Sequence, residues 1–286
     1  MKIAVLLTTY NRKSKTLDCL KTLYSQDIDD SVQISTFLTD DLSSDGTAEA
    51  VKQSFPQVQI LKGTGSLFWA GGMRKSWRRA SAGNFDYYLL INDDTMLFSD
   101  AISTLLRCVE STKTKDGVPG ICIGSTMDSI SKKISYGGKK LTSNFSIKSV
   151  QVFSSKEAVE CDLGNANIML VPAAVVEKVG ILSENFTHGI ADYDYTLKAK
   201  KAGFSVFVAP GILGECTDDH GNNWRGSNTR LSERIKYLKS PKGLAYHEYL
   251  GFIRDHFPVY YPFAFSKLWL KTLFPFLWDN LKATQS

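Results

Sequence analysis

The amino-acid sequence predicts an α/β fold on a mostly parallel sheet covered on both faces. Three observations predict it. Short apolar runs alternate with helical periodicity through the first 116 residues, two acidic clusters fall where strands end, and no linker, repeat or low-complexity segment divides the chain. In order, residues 3–9 read as a buried strand, 14–26 as a helix, 32–38 as a second strand, and 47–54 as a helix opening after Asp45-Gly46. A third strand at 58–62, a helix following Gly71-Gly72, a strand at 86–91 and a helix from about Ser99 to Lys113 continue the alternation.

After Gly117 the texture changes. The stretch "KKISYGGKKL" reads as a hairpin on a Gly-Gly turn, alternating segments follow to about Val171, and helices return at 172–179 and 191–202. The expected organisation is a domain over 1–242 and a helical extension over 243–286. Within that domain 1–116 forms a nucleotide-binding half, and 117–242 a mixed half that completes the sheet and holds a second substrate. Pro258, Pro262 and Pro275 break the extension into pieces.

The 286 residues, 43% of them hydrophobic, suffice for a sizeable core. The opening "MKIAVLLTTYNR" is too short an apolar run for a signal peptide, and no stretch is long enough to span a bilayer, so a cytoplasmic protein, or one peripheral at the inner face of the cell membrane, is expected. Five scattered cysteines without a C-x-x-C pair suggest neither a disulfide framework nor a zinc site, and fit a reducing compartment. The net charge of +5 is modest, but Lys267, Lys271 and Lys282 sit in a tail rich in Trp, Phe and Leu. That pattern points to a membrane surface before nucleic acid.

Ligands of open α/β sheets bind beyond the carboxyl ends of the strands. There lie "TDDLSSDGT", with Asp40 and Asp41 leaving the second strand, and Asn92-Asp93-Asp94-Thr95, leaving the strand at 86–91. Each alone reads equally as a capped turn or a solvated loop. Together they place repelling carboxylates side by side, and a divalent cation such as Mg²⁺ or Mn²⁺ bridging to nucleotide phosphates is the simplest offset. No GxxxxGK[ST] loop is present, and no G-x-G-x-x-G follows the first strand, which argues against P-loop and nicotinamide chemistry.

In this order and spacing, "VLLTTYNR", "TDDLSSDGT", "GTGSLFWAGGMRKSW", "LLINDDT" and "HGIADYDYTLKAKKAGF" resemble family 2 of the inverting nucleotide-sugar glycosyltransferases, with the Rossmann-like GT-A fold, over roughly residues 1–225. Among subgroups, the sequence is similar to bacterial transferases of surface polysaccharides, including rhamnosyltransferase-like members. The resemblance implies a sugar moved from a UDP- or dTDP-sugar to a saccharide acceptor, lipid-linked in such systems, with Mn²⁺ or Mg²⁺. It implies that Thr8, Tyr10 and Arg12 line the nucleotide pocket and that Asp40 accepts from the N3–H of uracil or thymine. A carboxylate accepts well from that imide and poorly from cytosine. Asn92 replaces the first acid of the D-x-D motif and would touch ribose or sugar, Asp93 shapes the turn, and Asp94 is left as metal ligand, with His220 completing the metal and diphosphate site.

Gly71 and Gly72 could present amides to an anion at a helix N-terminus, with Arg74 on the next turn facing phosphate or solvent. Beyond the turn expected at Pro210-Gly211, Trp224 could stack on a sugar and Arg225 clamp diphosphate. Asp192 takes the place of the family's base, after Ala191 rather than the usual Glu, or is simply an acidic first helical turn; the helix dipole there should hold its pKa low. His188, His247 and His256 fall in no such pattern. The tail sets Trp269, Leu270, Leu273, Phe274, Leu277, Trp278 and Leu281 near helical spacing, for packing on the domain or a homodimer partner, or for an interfacial helix. A sugar nucleotidyltransferase and a non-catalytic scaffold of the same fold are the rival readings.

Overall fold

The computed structural model describes residues 1–217 and 226–283. The first half runs β1 (Lys2–Thr9), α1 (Lys13–Leu23), β2 (Gln33–Asp40), α2 (Thr47–Ser54), β3 (Gln59–Lys62), α3 (Phe68–Ala80), β4 (Tyr87–Ile91), β5 (Met96–Leu97) and α4 (Ala101–Ser111). The second runs β6 (Ile121–Met127), β7 (Ile134–Tyr136), β8 (Gly138–Leu141), β9 (Ser149–Val152), β10 (Val159–Glu160), β11 (Leu163–Gly164), β12 (Ile168–Pro172), α5 (Ala173–Val179), α6 (Ala191–Lys201) and β13 (Val206–Glu215). Four helices close the chain: α7 (Leu231–Lys239), α8 (Tyr246–His256), α9 (Tyr261–Leu273) and α10 (Phe276–Ala283).

The main sheet has the order β10-β13-β6-β12-β4-β1-β2-β3, with β5 on β13 and β7 on β6. β3, β2, β1 and β4 are mutually parallel, while β12 inserts antiparallel between β4 and β6. In β1 and β4 every residue but Lys2 is buried, because helices cover both faces; that is why these strands read as unbroken apolar runs. One core unites α1, α2 and α4 with one face of the sheet; the other packs α3, α5, α6 and α8 on the opposite face. In α1, Thr16, Cys19, Leu20 and Leu23 form the buried stripe that helical spacing requires.

Four expectations are corrected. Helix α3 begins at Phe68, so Gly71 and Gly72 lie inside it rather than before it. Their small size serves packing: a Cβ on Gly72 would meet Thr8 Oγ1 at 1.9 Å, which lets α3 lie close on β1. The "KKISYGGKKL" stretch is no hairpin: β7 pairs with β6, whereas β8 pairs with β9 and β11 in a separate small sheet. A Cβ on Gly138 would meet Val208 Cγ2 at 2.3 Å, so this glycine serves close packing where the chain changes sheets. Pro210-Gly211 is an irregularity within β13, where pairing with β6 slips, rather than a turn. Cys108 on α4 and Cys122 on β6 form a disulfide, against the expectation of none, because α4 packs across β6. Cys19, Cys161 and Cys216 are free and buried.

The prolines divide the tail as expected: Pro258 opens a short 3₁₀ turn, Pro262 sits in the first turn of α9, and Pro275 precedes α10. Helix α7 packs with α8 and α9, which groups it with the C-terminal helices.

Candidate functional site

The parallel strands deliver their loops to one edge. In register, Thr9 at the end of β1 faces Asp40 at the end of β2, and Asp40 faces Lys62 at the end of β3. The loops after β1 and β2 are stitched together. Asn11, in the left-handed region at φ 52°, donates its amide to Ser43 Oγ (2.9 Å) and accepts from the Ser44 amide (2.7 Å). Asp45 accepts from the Lys13 amide (3.0 Å) and the Thr47 amide (3.1 Å), joining the first turns of α1 and α2. Thr8 and Asp40 are buried on this floor while Tyr10 stands half exposed above it, and Asp40 accepts one amide, from Ser43 at 3.2 Å.

Asp41, next in the chain, does something different. Its Oδ1 accepts the amides of Thr64 (3.0 Å) and Gly65 (2.7 Å), and its Oδ2 those of Leu67 (2.8 Å) and Phe68 (3.3 Å). A buried carboxylate thus supplies the acceptors for the loop entering α3 and holds Phe68 at φ 53°. Trp69, one residue on, donates Nε1–H to Asn92 Oδ1 at 2.8 Å, tying this loop to the end of β4.

The paired acids are buried there. Arg12 Nη1 lies 3.4 Å from Asp93 Oδ1 and also bonds Asp94 Oδ2, and Lys15 Nζ is 3.7 Å from Asp94 Oδ2. Burial pushes the Asp93 carboxyl up to about 6, against the lowering effect of Arg12. Cys216 Sγ–H points to Asp94 Oδ1 at 3.6 Å, and burial with the neighbouring Asp94 pushes that thiol up to about 12.

Asp192 sits in the first turn of α6 after Ile190, whose φ of 56° is left-handed and strained for a β-branched residue. Its Oδ2 accepts the Ala166 amide (3.2 Å) and Asn165 Nδ2–H (3.4 Å), and its Oδ1 the Tyr193 amide (2.9 Å). The expected low pKa is corrected: burial raises it and outweighs these hydrogen bonds. Tyr193 lies beside it, with Lys139 Nζ 5.7 Å over its ring and Asn165 3.5 Å from its hydroxyl.

One short segment brings the two acidic groups together. Asn165-Ala166-Asn167, leading into β12, gives its Ala166 amide to Asp192 while the Asn167 carbonyl accepts the Asn92 amide at 3.3 Å. β12 then runs antiparallel beside β4, so the segment that bonds Asp192 is fixed beside the strand that ends at the acid pair.

The fold therefore groups Thr8, Tyr10, Arg12, Asp40, Asn92, Asp93 and Asp94 at one sheet edge. Arg74 does not join them. Its guanidinium is buried, donating to the Ser183 and Phe186 carbonyls (2.8 Å each) and pairing with Glu184. The interior position of Gly71 and Gly72 likewise leaves them no free first-turn amides: Gly71 N–H bonds Leu67 O. His220, Trp224 and Arg225 lie outside the described residues. Sequence reasoning named Asp41 only as part of the acidic cluster and passed over Lys15 and Asn165; Lys15 was within reach, since it stands three residues after Arg12 where α1 starts. Among the described residues no cluster of three or more His, Cys, Asp or Glu is arranged to hold a metal. The oxygen donors of Asp93 and Asp94 nonetheless suit a hard divalent cation, and its entry would require Arg12 to release Asp94.

With the geometry in view, the chain matches the pattern of a glycosyltransferase-like family 2 over residues 1–236. It belongs to the family-2 glycosyltransferases. This family-2 chain is similar in fold to a mannosyltransferase of Pyrobaculum calidifontis solved with GDP-Man and Mn²⁺, at 14% identity, TM-score 0.58, over 98% of this chain and 73% of that one. S. aureus TarS, residues 1–349 with UDP-GlcNAc, aligns at 14% identity and TM-score 0.57 over 92% of this chain and 73% of that one. Against the longer TarS structure the TM-score is 0.56 and the chain spans 44% of its length. No curated protein matches the chain.

Proposed function

We propose that this glycosyltransferase moves a sugar from a UDP- or dTDP-sugar to a hydroxyl of a saccharide acceptor with inversion at the anomeric carbon. The observation that carries the reading is the Asn165–Asn167 segment before β12, which bonds Asp192 at the start of α6 on one side and Asn92, next to the acid pair at the end of β4, on the other. Asp192 takes the acceptor's proton as its oxygen attacks; a carboxylate whose pKa is raised by burial is the better base near neutral pH. Asp40 reads the N3–H of the base, and Thr8 and Tyr10 flank the nucleoside. Arg12 and Lys15 bring positive charge to the place where diphosphate charge develops. Asp94, with His220, would hold Mn²⁺ or Mg²⁺, and the bound cation supplies further charge stabilisation for the departing diphosphate.

The proposed acceptor is lipid-linked, in synthesis of a bacterial surface polysaccharide, and the support is in the tail. Among the described residues no helix is long and apolar enough to cross a membrane. Helix α9 spans about 20 Å against a hydrocarbon core of about 30 Å. It is apolar on two faces: Ala264, Leu268 and Thr272 face the protein, while Phe263 (58% exposed), Leu270 and Leu273 face out, continued by Val259, Phe274 and Leu277. Residues 257–278 carry Lys267 and Lys271 and no acid. Exposed Lys267 lies over the Phe263 ring of this stripe, and an anionic bilayer complements its charge. Vesicles containing phosphatidylglycerol should sediment the protein, and Phe263→Ser with Leu270→Ser should abolish this; unchanged binding by that variant would remove the tail from the reading.

The donor is tested by thermal stabilisation with UDP-, dTDP- and GDP-sugars, each with and without Mn²⁺, since a ligand of the native state raises the melting temperature. Stabilisation by uridine or thymidine donors, enhanced by Mn²⁺, is expected. Stabilisation by GDP-sugars alone would overturn the role of Asp40.

A further inference from the structure

The family pattern ends at residue 236, yet two residues beyond it reach into the segment that presents Asp192. Glu248 on α8 accepts the Thr187 amide on Oε2 (3.0 Å) and the Thr187 hydroxyl on Oε1 (2.6 Å). The Thr187 carbonyl accepts the Ala70 amide at 3.0 Å, so this one residue ties the base segment to both α8 and the first turn of α3. Further along, His256 Nε2 lies 2.8 Å from Asp194 Oδ1 with both side chains fully buried, and Lys198 Nζ pairs with Asp194 Oδ2 at 2.7 Å.

Between these two ties stand Ile190 and Asp192. An isoleucine in the left-handed region is strained and persists only where its surroundings over-determine it. Here they do so from both sides: Arg74 holds Ser183 and Phe186, Glu248 and Ala70 hold Thr187, and the buried Asp194 is fixed by α8 and Lys198. We propose that Glu248 is a positioning residue for the transfer reaction, acting through Thr187 to hold Ile190 in its left-handed turn and Asp192 in its attack geometry. The inference rests on the reading of Asp192 as the base. Its mechanical part stands on the contacts alone.

Glu248→Ala removes both acceptors, Glu248→Gln keeps shape with one oxygen, and Thr187→Val removes only the hydroxyl. With the donor found by the panel above and a lipid-linked saccharide acceptor, kcat should fall about 10- to 100-fold in Glu248→Ala and several-fold in the conservative pair, because a displacement of the order of 1 Å at a base costs that much. UDP affinity by calorimetry and donor KM should stay within about twofold, because the nucleotide site is held by other contacts. Added to Asp192→Asn, Glu248→Ala should cause no further loss, since both changes act through one group. Parental kcat in folded Glu248→Gln and Thr187→Val, or a full extra loss in the double variant, would overturn the proposal. If Glu248→Ala fails to fold, those two conservative variants decide. Parental transfer by Asp192→Asn alone would instead overturn the base assignment, so the two failures read separately.

Discussion

At the end of β4 the fold surrounds Asp93 and Asp94 with cations, Arg12 and Lys15, whereas Asp192 on α6 is held by two backbone amides and the Asn165 side chain. The chemistry asked of each group follows from that contrast. Carboxylates paired with half-exposed cations can exchange them for a metal or a diphosphate without leaving charge bare. A carboxylate buried among neutral donors has its pKa raised, and a proton can come and go there. Asp41 makes a third case: its two oxygens accept four backbone amides, and it acts as a fastener.

Asp192→Asn breaks the contrast at its base end and should have the largest effect. Transfer should drop about 10²- to 10⁴-fold while UDP affinity holds, in kcat and calorimetry side by side. In the parent, kcat should fall as pH drops through the raised pKa of Asp192, an acid limb standing above the usual carboxylate value of about 3.9. Asp41→Ala should act mainly on stability. Four amides lose their acceptor, and a loss of about 2 to 4 kcal/mol is expected in urea unfolding, allowing for water reaching some of them. A stability unchanged by Asp41→Ala would erase its separation from the catalytic acids.

Asp93 sharpens the cation side with the smallest effect. Folded Asp93 keeps its proton to about pH 6, the unfolded chain only to about pH 3.9, so the folded state binds more protons between those values and stability falls as pH rises through that window. Asp93→Asn should remove that slope and stabilise the protein above pH 6 by of order 1 kcal/mol, read from melting temperatures across pH. An unchanged slope would mean that Arg12 already holds Asp93 ionised.

Much of this was legible in the residues, for a physical reason. Strands covered on both faces must be apolar throughout, and helix α2 was bounded to the residue because Asp45-Gly46 is a local signal. What escaped was decided at long range. Asp40 and Asp41 are chemically identical neighbours, and only the strand register turns one to the pocket floor and the other to the 63–68 loop. The start of α3 at Phe68 depends on amides fastened by Asp41, 27 residues earlier, so a rule that sees only local glycines places it too late. Gly137 and Gly138 have the composition of a hairpin turn, yet neighbouring β6 and Val208 send their flanking strands to different sheets. His256 lacked any motif because its partner Asp194 stands 62 residues away.

The bonds from Glu248 and His256 back into the base segment set a limit on modularity. A chimera that grafts residues 1–236, the portion that carries the family pattern, onto a foreign C-terminus would transplant Asp192 and leave its brace behind. The heritable unit of this transferase is longer than its signature, and any exchange of parts with a relative has to be cut beyond α8.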